Sequence, residues 1–464
     1  MRLDIRTVAR VVGGRLAPEG ATAVVTGIST DSRTVRPGDL FIPLRGRNFD
    51  GHDFLAQAAQ RGAVACLSEE MIAGFPVPVV GVADTLRALG DLAAAVRRHF
   101  DGPVVAVTGS SGKTTTKEML GAILGETAPG LKTEGNYNNL VGLPLTLFRL
   151  CTRHRWVVLE MGMSARGEIA RLAEIAAPAV GVVTNIGAAH LETLRSIDGV
   201  ARAKGELFAA LVPGSTAVIN ADDERVAQLP VANGVRRLLF GLHADADVRA
   251  DQVTTARTSV RFRLLLAGTA LPVTLQVPGR HNVANALAAA AAATALGIAP
   301  ETIRKGLERF RPVAGRMEAV SLRDGVTLLE DSYNANPLSM RAALVALDEL
   351  AGSGCRIAVL GDMLELGPSS ASLHREIGEE AARRADWLLV LGKMAGEVAS
   401  GALEAGMPSS RVLVFADHKE VVGRLREILR PGDRVLVKGS RGMRMEKVSA
   451  TLRDIETRLA AGNC

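Results

Sequence analysis

A short segment rich in glycine and serine carries the clearest chemical signal in the sequence. It follows an apolar run at residues 104–107 and precedes a helical pattern. Its residues are Gly109, Ser110, Ser111, Gly112, Lys113, Thr114 and Thr115. Glycines let backbone N–H groups turn towards phosphate oxygens, and the N-terminus of the following helix favours an anion. Lys113 would reach the β- and γ-phosphates, and the Thr114 hydroxyl would bind Mg²⁺. The segment predicts a phosphate-binding loop (P-loop) for a nucleoside triphosphate. Ala106 stands where the standard pattern has glycine, and a plain strand-to-helix turn is the alternative.

An acidic and a histidine side chain follow two further strand-like runs. Glu160 ends the run at residues 156–159, and His190 follows the run at residues 180–183. A carboxylate at the carboxyl end of a strand beside the P-loop strand is placed to bind Mg²⁺. Glu160 has the alternative of being a solvated acid, and His190 that of a loop or capping histidine. Lys204 lies in a helical pattern, which by itself indicates a surface lysine.

Three asparagine-rich clusters lie where turns follow strands or open helices. They span residues 136–139, 279–282 and 331–337. Asparagine side chains often cap local backbone groups, so each cluster has a structural alternative. The last cluster combines acceptors with amides, which is what a contact with a ribose or a base needs.

These residues need a scaffold that brings strand ends together, and the order of elements predicts one. Residues 101–310 alternate strand-like and helical patterns, which is typical of a parallel α/β sheet. Alternating apolar residues near 260–277 predict an antiparallel hairpin appended to that sheet. Residues 311–464 repeat the alternation and predict a Rossmann-like domain. With residues 1–100 as an N-terminal domain, we expect an α/β protein of three domains.

Composition narrows the class of protein. The chain has 464 residues, 47% of them hydrophobic, which suits several folded domains. The net charge of +6 is scattered and aromatic residues are only 3%, so nucleic-acid binding is not expected. The excess of cations fits anionic small molecules. Lysines are scarce beside arginines, so a lysine inside a motif is informative.

Other features indicate where the protein works. The N-terminus lacks the pattern of a secretory signal, and the most apolar stretch, residues 286–296, predicts a buried helix too short to span a membrane. Four widely spaced cysteines argue against a disulfide framework or a metal knuckle: Cys66, Cys151, Cys355 and Cys464. We therefore expect a cytoplasmic protein without membrane insertion.

Taken together, the motifs resemble those of the Mur ligases of peptidoglycan synthesis, and the resemblance covers essentially the whole chain. The stretches that carry it are residues 31–33, 109–115, 136–139, 184–190, 203–206, 279–282 and 438–442. Within the family, residues 331–337 and 360–367 favour the member that adds a dipeptide. The Asp-Asn-Pro-Arg motif of the ligase that adds the third amino acid is not found in the sequence.

The resemblance implies an ATP-dependent ligase that joins D-alanyl-D-alanine to UDP-N-acetylmuramoyl-tripeptide through an acyl phosphate. A sister ligase that adds one amino acid is the first alternative, and a P-loop nucleotide switch without ligase chemistry is another. The partners implied are these small molecules together with ATP and Mg²⁺, and a monomer is expected. The N-terminal domain would hold the uridine nucleotide, the central domain the phosphates of ATP, and the C-terminal domain would close over its adenine and ribose.

The resemblance also assigns roles to individual residues. The implied catalytic residues are Lys113, Glu160, His190 and Lys204. The implied Mg²⁺ ligands are Thr114, Glu160, His190 and Lys204, with Lys204 carbamylated so that it offers oxygen to a hard cation. Besides the P-loop, the implied ATP contacts are Asn282, Arg316, Asp331 and Asn334. The implied contacts with the nucleotide-sugar substrate are Asp31, Ser32, Arg33 and Asn138. For Arg316, an interdomain salt bridge is the alternative.

Overall fold

The structure is a computed structural model that describes residues 2–46, 48–242 and 245–461, with side chains described up to residue 454. Within these ranges the chain forms three α/β domains in sequence order. The predicted fold class is confirmed, whereas the boundaries at residues 100 and 310 stay predictions. Cys464 lies outside the described residues, and the other three cysteines are unpaired thiols.

The N-terminal domain is a small mixed sheet flanked by helices. Its elements are β1 (Leu3–Asp4), α1 (Ile5–Val11), β2 (Arg15–Ala17), β3 (Val24–Val25), β4 (Gly27–Ser29), β5 (Asp39–Phe41), α2 (Leu55–Gln60), β6 (Ala65–Ser68), β7 (Val79–Gly81) and α3 (Thr85–Arg98). One sheet has the order β2-β7-β6-β5-β4, and β1 pairs with β3. Asp4 caps α1 by accepting a hydrogen bond from the backbone N–H of Arg6 at 2.8 Å. Ile5 and Val8 then turn into the domain core, where they are fully buried.

The central domain is built on one large sheet. Its first elements are β8 (Val104–Thr108), α4 (Lys113–Gly125), β9 (Leu131–Lys132), α5 (Gly142–Leu147), β10 (Val157–Glu160), α6 (Glu168–Ala176), β11 (Val180–Val183), α7 (Leu191–Leu194) and α8 (Ile197–Ala209). The rest are β12 (Thr216–Asn220), α9 (Glu224–Ala227), β13 (Arg236–Gly241), β14 (Val248–Thr255), β15 (Val260–Leu266), β16 (Thr269–Leu275), α10 (Arg280–Ala295) and α11 (Pro300–Arg309). The strand order is β16-β15-β14-β13-β12-β11-β8-β10-β9.

The appended antiparallel part is larger than the predicted hairpin. β14 runs parallel to β13 and antiparallel to β15, which in turn pairs with β16. The prediction missed β14 because its polar and apolar residues alternate only over its first half, and its second half is largely exposed.

The predicted buried helix is confirmed as part of α10. Residues 286–293 of this helix are completely buried. The small alanine side chains allow α10 to pack closely against α4 and against the face of the sheet. No helix within the described ranges is both long enough and apolar enough to cross a membrane.

The C-terminal domain repeats the α/β pattern with a six-stranded sheet. Its elements are β17 (Glu318–Ser321), β18 (Thr327–Asp331), α12 (Pro337–Glu349), β19 (Arg356–Gly361), α13 (Ser370–Arg384), β20 (Trp387–Leu391), α14 (Ala395–Glu404), β21 (Val412–Phe415), α15 (His418–Ile428), β22 (Arg434–Lys438) and α16 (Glu446–Ala461). The order is β17-β18-β22-β19-β20-β21, and β17 is the antiparallel strand. Short 3₁₀ turns cover Gly51–Phe54, Arg323–Gly325, Gly367–Ser369, Ser409–Arg411 and Arg441–Met443.

The two larger sheets present their strand ends to each other. In the central sheet, β8 lies between β10 and β11, so the ends that carry Gly109, Glu160 and Thr184 are neighbours. In the C-terminal sheet, Asp331 pairs with Lys438 at the ends of β18 and β22. Ligands in α/β sheets bind at the carboxyl ends of the strands. The fold therefore places the candidate site between these two domains.

Candidate active site

The P-loop connects β8 to α4 in a conformation that requires glycine. Gly112 has φ +79°, and a Cβ atom there would lie 2.1 Å from Oδ1 of Asn285. Gly109 is also left-handed, at φ +153°, with a Cβ position 1.8 Å from Thr184 Oγ1. Both the backbone angle and the close neighbours exclude larger residues. The helix N-terminus at Lys113 therefore faces the loop without obstruction from side chains at these positions.

Side chains from the neighbouring strand end hold the loop in this shape. The backbone N–H of Ser111 donates to Oδ1 of Asn185 at 2.8 Å, and its carbonyl accepts a bond from Thr184 Oγ1 at 2.6 Å. The hydroxyl of Ser110 donates to the carbonyl of Gly187 at 3.1 Å. Asn185 lies in the motif at residues 184–190, but the sequence assigns it no role, because no residue spacing identifies a side chain that only supports a loop. The loop is thus preorganised before any ligand binds.

Lys113 lies folded over its own loop. Its Nζ donates to the carbonyl of Gly109 at 2.8 Å. Burial lowers the pKa of this amine, with a further lowering by Arg316 and an opposing effect of Glu160. A lysine held at the loop by a single carbonyl contact can turn to a phosphate oxygen without losing a salt bridge.

Glu160 is a buried carboxylate with ordered partners. It is 2% exposed, its Oε2 accepts a bond from the Thr114 hydroxyl at 2.8 Å, and its Oε1 accepts one from Asn138 Nδ2 at 2.8 Å. The Nζ of Lys117 lies 3.9 Å from Oε2. The structure thus joins two predicted Mg²⁺ ligands, Thr114 and Glu160, and it places Asn138 against Glu160.

Lys204 is buried, so the interpretation of it as a surface lysine is wrong. It is 1% exposed, and its helix, α8, packs against β8 and β11. The helical pattern did not reveal this because α8 is covered by neighbouring elements on several sides. Burial, reinforced by the charge of Lys113, holds the pKa of its amine well below the ordinary value. Within the described residues, no carboxylate forms a salt bridge with it.

His190 lies immediately before α7 in a left-handed conformation, at φ +54°. Its Nδ1 lies 2.5 Å from Oε2 of Glu365, a residue of the C-terminal domain. The ring is 29% exposed and faces the same cavity as Glu160. Sequence reasoning found His190 and included Glu365 in the motif at residues 360–367, but it did not predict that the two side chains, 175 residues apart, are in contact.

Of the four further predicted nucleotide contacts, three lie on the other wall, in the C-terminal domain, and the fourth belongs to the central domain. The guanidinium of Arg316 stacks 4.0 Å from the centre of the Tyr333 ring. Asp331 accepts bonds from Lys438 Nζ at 2.5 Å and from the backbone N–H of Met317 at 3.1 Å. Asn334 takes part through its carbonyl, which accepts a second bond from Lys438 at 3.0 Å. The fourth contact, Asn282, is buried at the start of α10, where its Nδ2 donates to the carbonyl of Pro278 at 2.7 Å.

Asn336 links the two walls and was not predicted as a site residue. Its Nδ2 donates to the carbonyl of Ser110, in the P-loop, at 3.0 Å. Its Oδ1 accepts a bond from the backbone N–H of Ser339 and thereby caps α12. The motif at residues 331–337 contained Asn336, but only the packing of two domains shows that it reaches the P-loop.

A cavity of about 870 Å³ lies between these walls. Its lining includes most of the predicted site residues: Ser110, Ser111, Gly112, Lys113, Thr114, Thr115, Asn138, Glu160, His190, Asn282, Arg316, Asp331 and Asn334. Gly109 and Lys204 are not among the residues that line it. Further cations, Arg45, Lys438 and Arg441, face the cavity. An excess of cations in a concave site favours anionic ligands.

The predicted uridine contacts lie apart from this cavity, in the N-terminal domain. Arg33 forms a 2.8 Å ion pair with Asp31, and its hydrogen bond lowers the pKa of that carboxyl to about 2. The hydroxyl of Ser32 donates to Gln57 Oε1 at 2.6 Å. None of the three lines the cavity, so the structure does not bring them to the P-loop.

The side chains that could bind a metal ion fit Mg²⁺ bound together with a nucleotide better than a metal ion bound by protein side chains alone. In the part of the chain that the structure describes, no three histidine, cysteine or carboxylate side chains converge closely enough to hold an ion. Thr114 and Glu160 offer oxygen atoms 2.8 Å apart beside the P-loop. Mg²⁺ is commonly bound by one or two side chains together with phosphates and water. The residues therefore fit a cation that arrives with a nucleotide.

Three models of one protein family match the chain in the order of its domains. They are the Mur ligase family catalytic domain at residues 24–97, the Mur ligase middle domain at residues 107–293, and the Mur ligase glutamate ligase domain at residues 315–441.

Relatives and solved structures agree with this assignment over nearly the full length. The UDP-N-acetylmuramoyl-tripeptide–D-alanyl-D-alanine ligase of Bacillus subtilis is 37% identical over 97% of this chain and 98% of its own. The crystal structure of MurF from Acinetobacter baumannii has a TM-score of 0.91 and 34% identity, covering 98% of this chain and 99% of that one. MurF ligase from Thermotoga maritima in complex with ADP has a TM-score of 0.84 and 30% identity, covering 93% and 98%. The chain belongs to the Mur ligase family.

Proposed function

We propose that this protein is the ATP-dependent ligase that joins D-alanyl-D-alanine to UDP-N-acetylmuramoyl-tripeptide in peptidoglycan precursor synthesis. The observation that carries the proposal is the cationic cavity between the P-loop and the strand ends of the C-terminal domain. The full-length similarity to ligases named for this reaction, one of them solved with ADP, supports it. This similarity confirms the prediction from the sequence that the protein is such a ligase.

Amide formation here requires two anions to meet. The terminal carboxylate of the tripeptide attacks the γ-phosphate of ATP, which gives an acyl phosphate and ADP. The amine of D-alanyl-D-alanine then attacks the activated carbonyl, and phosphate leaves. The protein's task is to position these groups and neutralise their charge, since phosphoryl transfer needs little covalent chemistry from side chains. Lys113 and the P-loop backbone are placed to bind the phosphates of ATP, and Arg316 lies on the opposite side of the cavity from Lys113.

The residues proposed to hold Mg²⁺ are Thr114, Glu160, His190 and Lys204. When bound, Mg²⁺ would screen the charge of the phosphates and stabilise charge in the transition state. Thr114 and Glu160 are already joined by a hydrogen bond that the cation would replace. His190 reaches the same cavity from α7.

Lys204 is proposed to act as its carbamate. The amine nitrogen bonds to the carbon of CO₂, and one proton is released, which leaves an anionic oxygen donor. This step requires a neutral amine, and burial beside Lys113 favours that form. The new negative charge would also be attracted by Lys113, whose positive charge already acts on Lys204.

For the remaining site residues, we propose the roles that the sequence predicts. Asn282, Arg316, Asp331 and Asn334 are proposed to contact ATP, and Asn138 the nucleotide-sugar substrate. The last proposed substrate contacts, at the uridine end, are Asp31, Ser32 and Arg33. The domain boundaries, the monomeric state and the cytoplasmic location also stay predictions.

The test is phosphate release measured with UDP-N-acetylmuramoyl-tripeptide and ATP. We expect release to depend on D-alanyl-D-alanine and to disappear in Lys113→Ala. Release that depends instead on a single amino acid would indicate a sister ligase. Nucleotide hydrolysis indifferent to the nucleotide sugar would indicate a P-loop switch.

A further inference from the structure

One side chain of the C-terminal domain reaches into the central domain beside the cavity. Oε2 of Glu365 lies 2.5 Å from Nδ1 of His190, and the two residues are far apart in the sequence. Glu365 follows β19 in the loop that leads to α13. This contact was not predicted, and none of the proposed chemistry uses Glu365.

Backbone contacts hold the two side chains in register. The backbone N–H of Glu192 donates to the carbonyl of Glu365 at 3.2 Å. Glu365 itself adopts a left-handed conformation, at φ +64°, which is unfavourable for a residue with a Cβ. A Cβ atom on Gly367 would lie 3.2 Å from Cα of Glu192, so the loop lies directly against α7. The Glu365 side chain is itself 59% exposed, so these backbone contacts are what fix its position beside His190.

The contact fixes which ring nitrogen of His190 carries the proton. An ionised carboxylate only accepts hydrogen bonds, so Nδ1 of His190 must be the donor. In a neutral ring, Nε2 then keeps its lone pair. Histidines that bind metals commonly donate their other N–H to a carboxylate, which sets the ring's tautomer and orientation.

We infer that Glu365 is a positioning residue that orients His190 for the nucleotide-bound cation and links this orientation to docking of the C-terminal domain. The inference rests on the proposed function for the identity of the cation. The link follows from the topology: His190 belongs to the central domain and Glu365 to the C-terminal domain. When the C-terminal domain moves away, His190 loses the partner that sets its tautomer.

The first measurement uses the enzyme without nucleotide or metal, so it does not depend on the reaction. Long-range ¹H–¹⁵N spectra of ¹⁵N-histidine-labelled protein, assigned with His190→Gln, report the tautomer of His190. We expect a proton on Nδ1 in the wild type and a shift towards Nε2 in Glu365→Ala. Glu365→Gln should retain the wild-type tautomer, because its amide oxygen still accepts the bond. Glu192→Gln is the matched control, since it removes an exposed charge two residues from His190.

The second measurement is the Mg²⁺ concentration for half-maximal activity. We expect Glu365→Ala to raise it by about 10- to 100-fold, as for the loss of other carboxylates behind metal-binding histidines. Glu365→Gln should lie between this variant and the wild type. The inference would be overturned if the ¹⁵N chemical shifts of the His190 ring were the same in Glu365→Ala as in the wild type, or if the Mg²⁺ concentration for half-maximal activity did not change. An effect of Glu192→Gln equal to that of Glu365→Ala would also overturn it.

Discussion

Burial decides the chemistry of Lys204. An exposed lysine is a cation at neutral pH, whereas this amine is enclosed beside a second lysine and loses its proton readily. We expect Lys204→Ala to lower the rate of phosphate release by roughly 100-fold or more, the scale for removing one group that stabilises a transition state. A short-chain carboxylic acid such as acetate should restore part of the activity by supplying the missing oxygen donor. Bicarbonate should restore none, because alanine has no amine to carbamylate.

The control for this prediction is Lys419→Ala, which removes an exposed lysine of α15. It should keep wild-type activity with or without added acids. Full activity of Lys204→Ala without any addition would contradict the carbamate, and so would equal stimulation of both variants by acetate.

His281 gives a prediction about stability. Burial lowers the pKa of its ring to about 4, with Asp331 opposing and Lys438 assisting. The folded protein therefore keeps the ring neutral below pH 6.5, where the unfolded chain binds a proton. Stability should fall as the pH decreases from 6.5 to 4, by at most about 3 kcal/mol for this group. The ring is partly accessible, so we expect a smaller effect than this limit.

The measurement is the free energy of urea-induced unfolding at pH 7 and pH 4.5. In His281→Gln the difference between the two pH values should shrink by about 1–2 kcal/mol, because glutamine binds no proton in either state. His99→Gln, which replaces an exposed histidine, should leave the difference as in the wild type. An unchanged difference in His281→Gln would refute the assignment.

At the scale of elements, the P-loop conformation depends on Gly112. Gly112→Ala places a Cβ in the left-handed region, which costs roughly 1–2 kcal/mol, and against Asn285 Oδ1. The loop must shift, so we expect activity to fall roughly 100-fold, as for displacing a positioned group by about 1 Å. Steady-state kinetics and calorimetric ADP binding measure the loss.

Gly125→Ala is the matched control, at the opposite end of the helix that Gly112 precedes. Gly125 ends α4, and its Cβ position has no neighbour within 4 Å. Alanine is favoured over glycine in a helix by roughly 0.5–1 kcal/mol, so activity should stay and stability should rise slightly. If Gly112→Ala were as active as Gly125→Ala, the P-loop would not need its left-handed glycine.

The elements that position the site could be predicted, because their signals are local. The strands that begin near residues 104, 157 and 180 are continuous apolar runs, and glycines mark the loop that follows the first. Weakly patterned elements were missed, such as β14 and the edge strand β17. The burial of Lys204 could not be predicted either. The periodicity of a helix shows which residues share a face, but it does not show how many of its faces are covered by other elements.

The contacts between domains could not be read from the sequence for another reason. Asn336 and Ser110 are 226 residues apart, and His190 and Glu365 are 175 apart. Residue spacing indicates neighbours within a helix or strand, whereas these pairs depend on how two folded domains dock. The family resemblance included Glu365 in the motif at residues 360–367 but gave it no role.

At the scale of the whole molecule, the C-terminal domain contacts the P-loop through Asn336, and we expect catalysis to depend on this contact. Asn336 serves this contact through Nδ2 and caps α12 through Oδ1, so the two roles can be separated. Asn336→Ser keeps a side-chain oxygen for the cap but loses the donor to Ser110. Loss of one hydrogen bond is worth about 1 kcal/mol, so kcat/KM for ATP should fall roughly five-fold. Thermal stability should change little.

Ser339→Ala separates the roles in the opposite direction. It removes the hydroxyl that accepts from the backbone N–H of Asn336, so it weakens the capping box of α12 but leaves the bond to Ser110. This variant should lower the melting temperature while kcat/KM for ATP stays near the wild-type value. Small-angle scattering with ADP and Mg²⁺ should then show a larger radius of gyration for Asn336→Ser than for Ser339→Ala. If both variants change stability and kinetics in parallel, Asn336 acts only as a helix cap, and domain docking is held by other contacts.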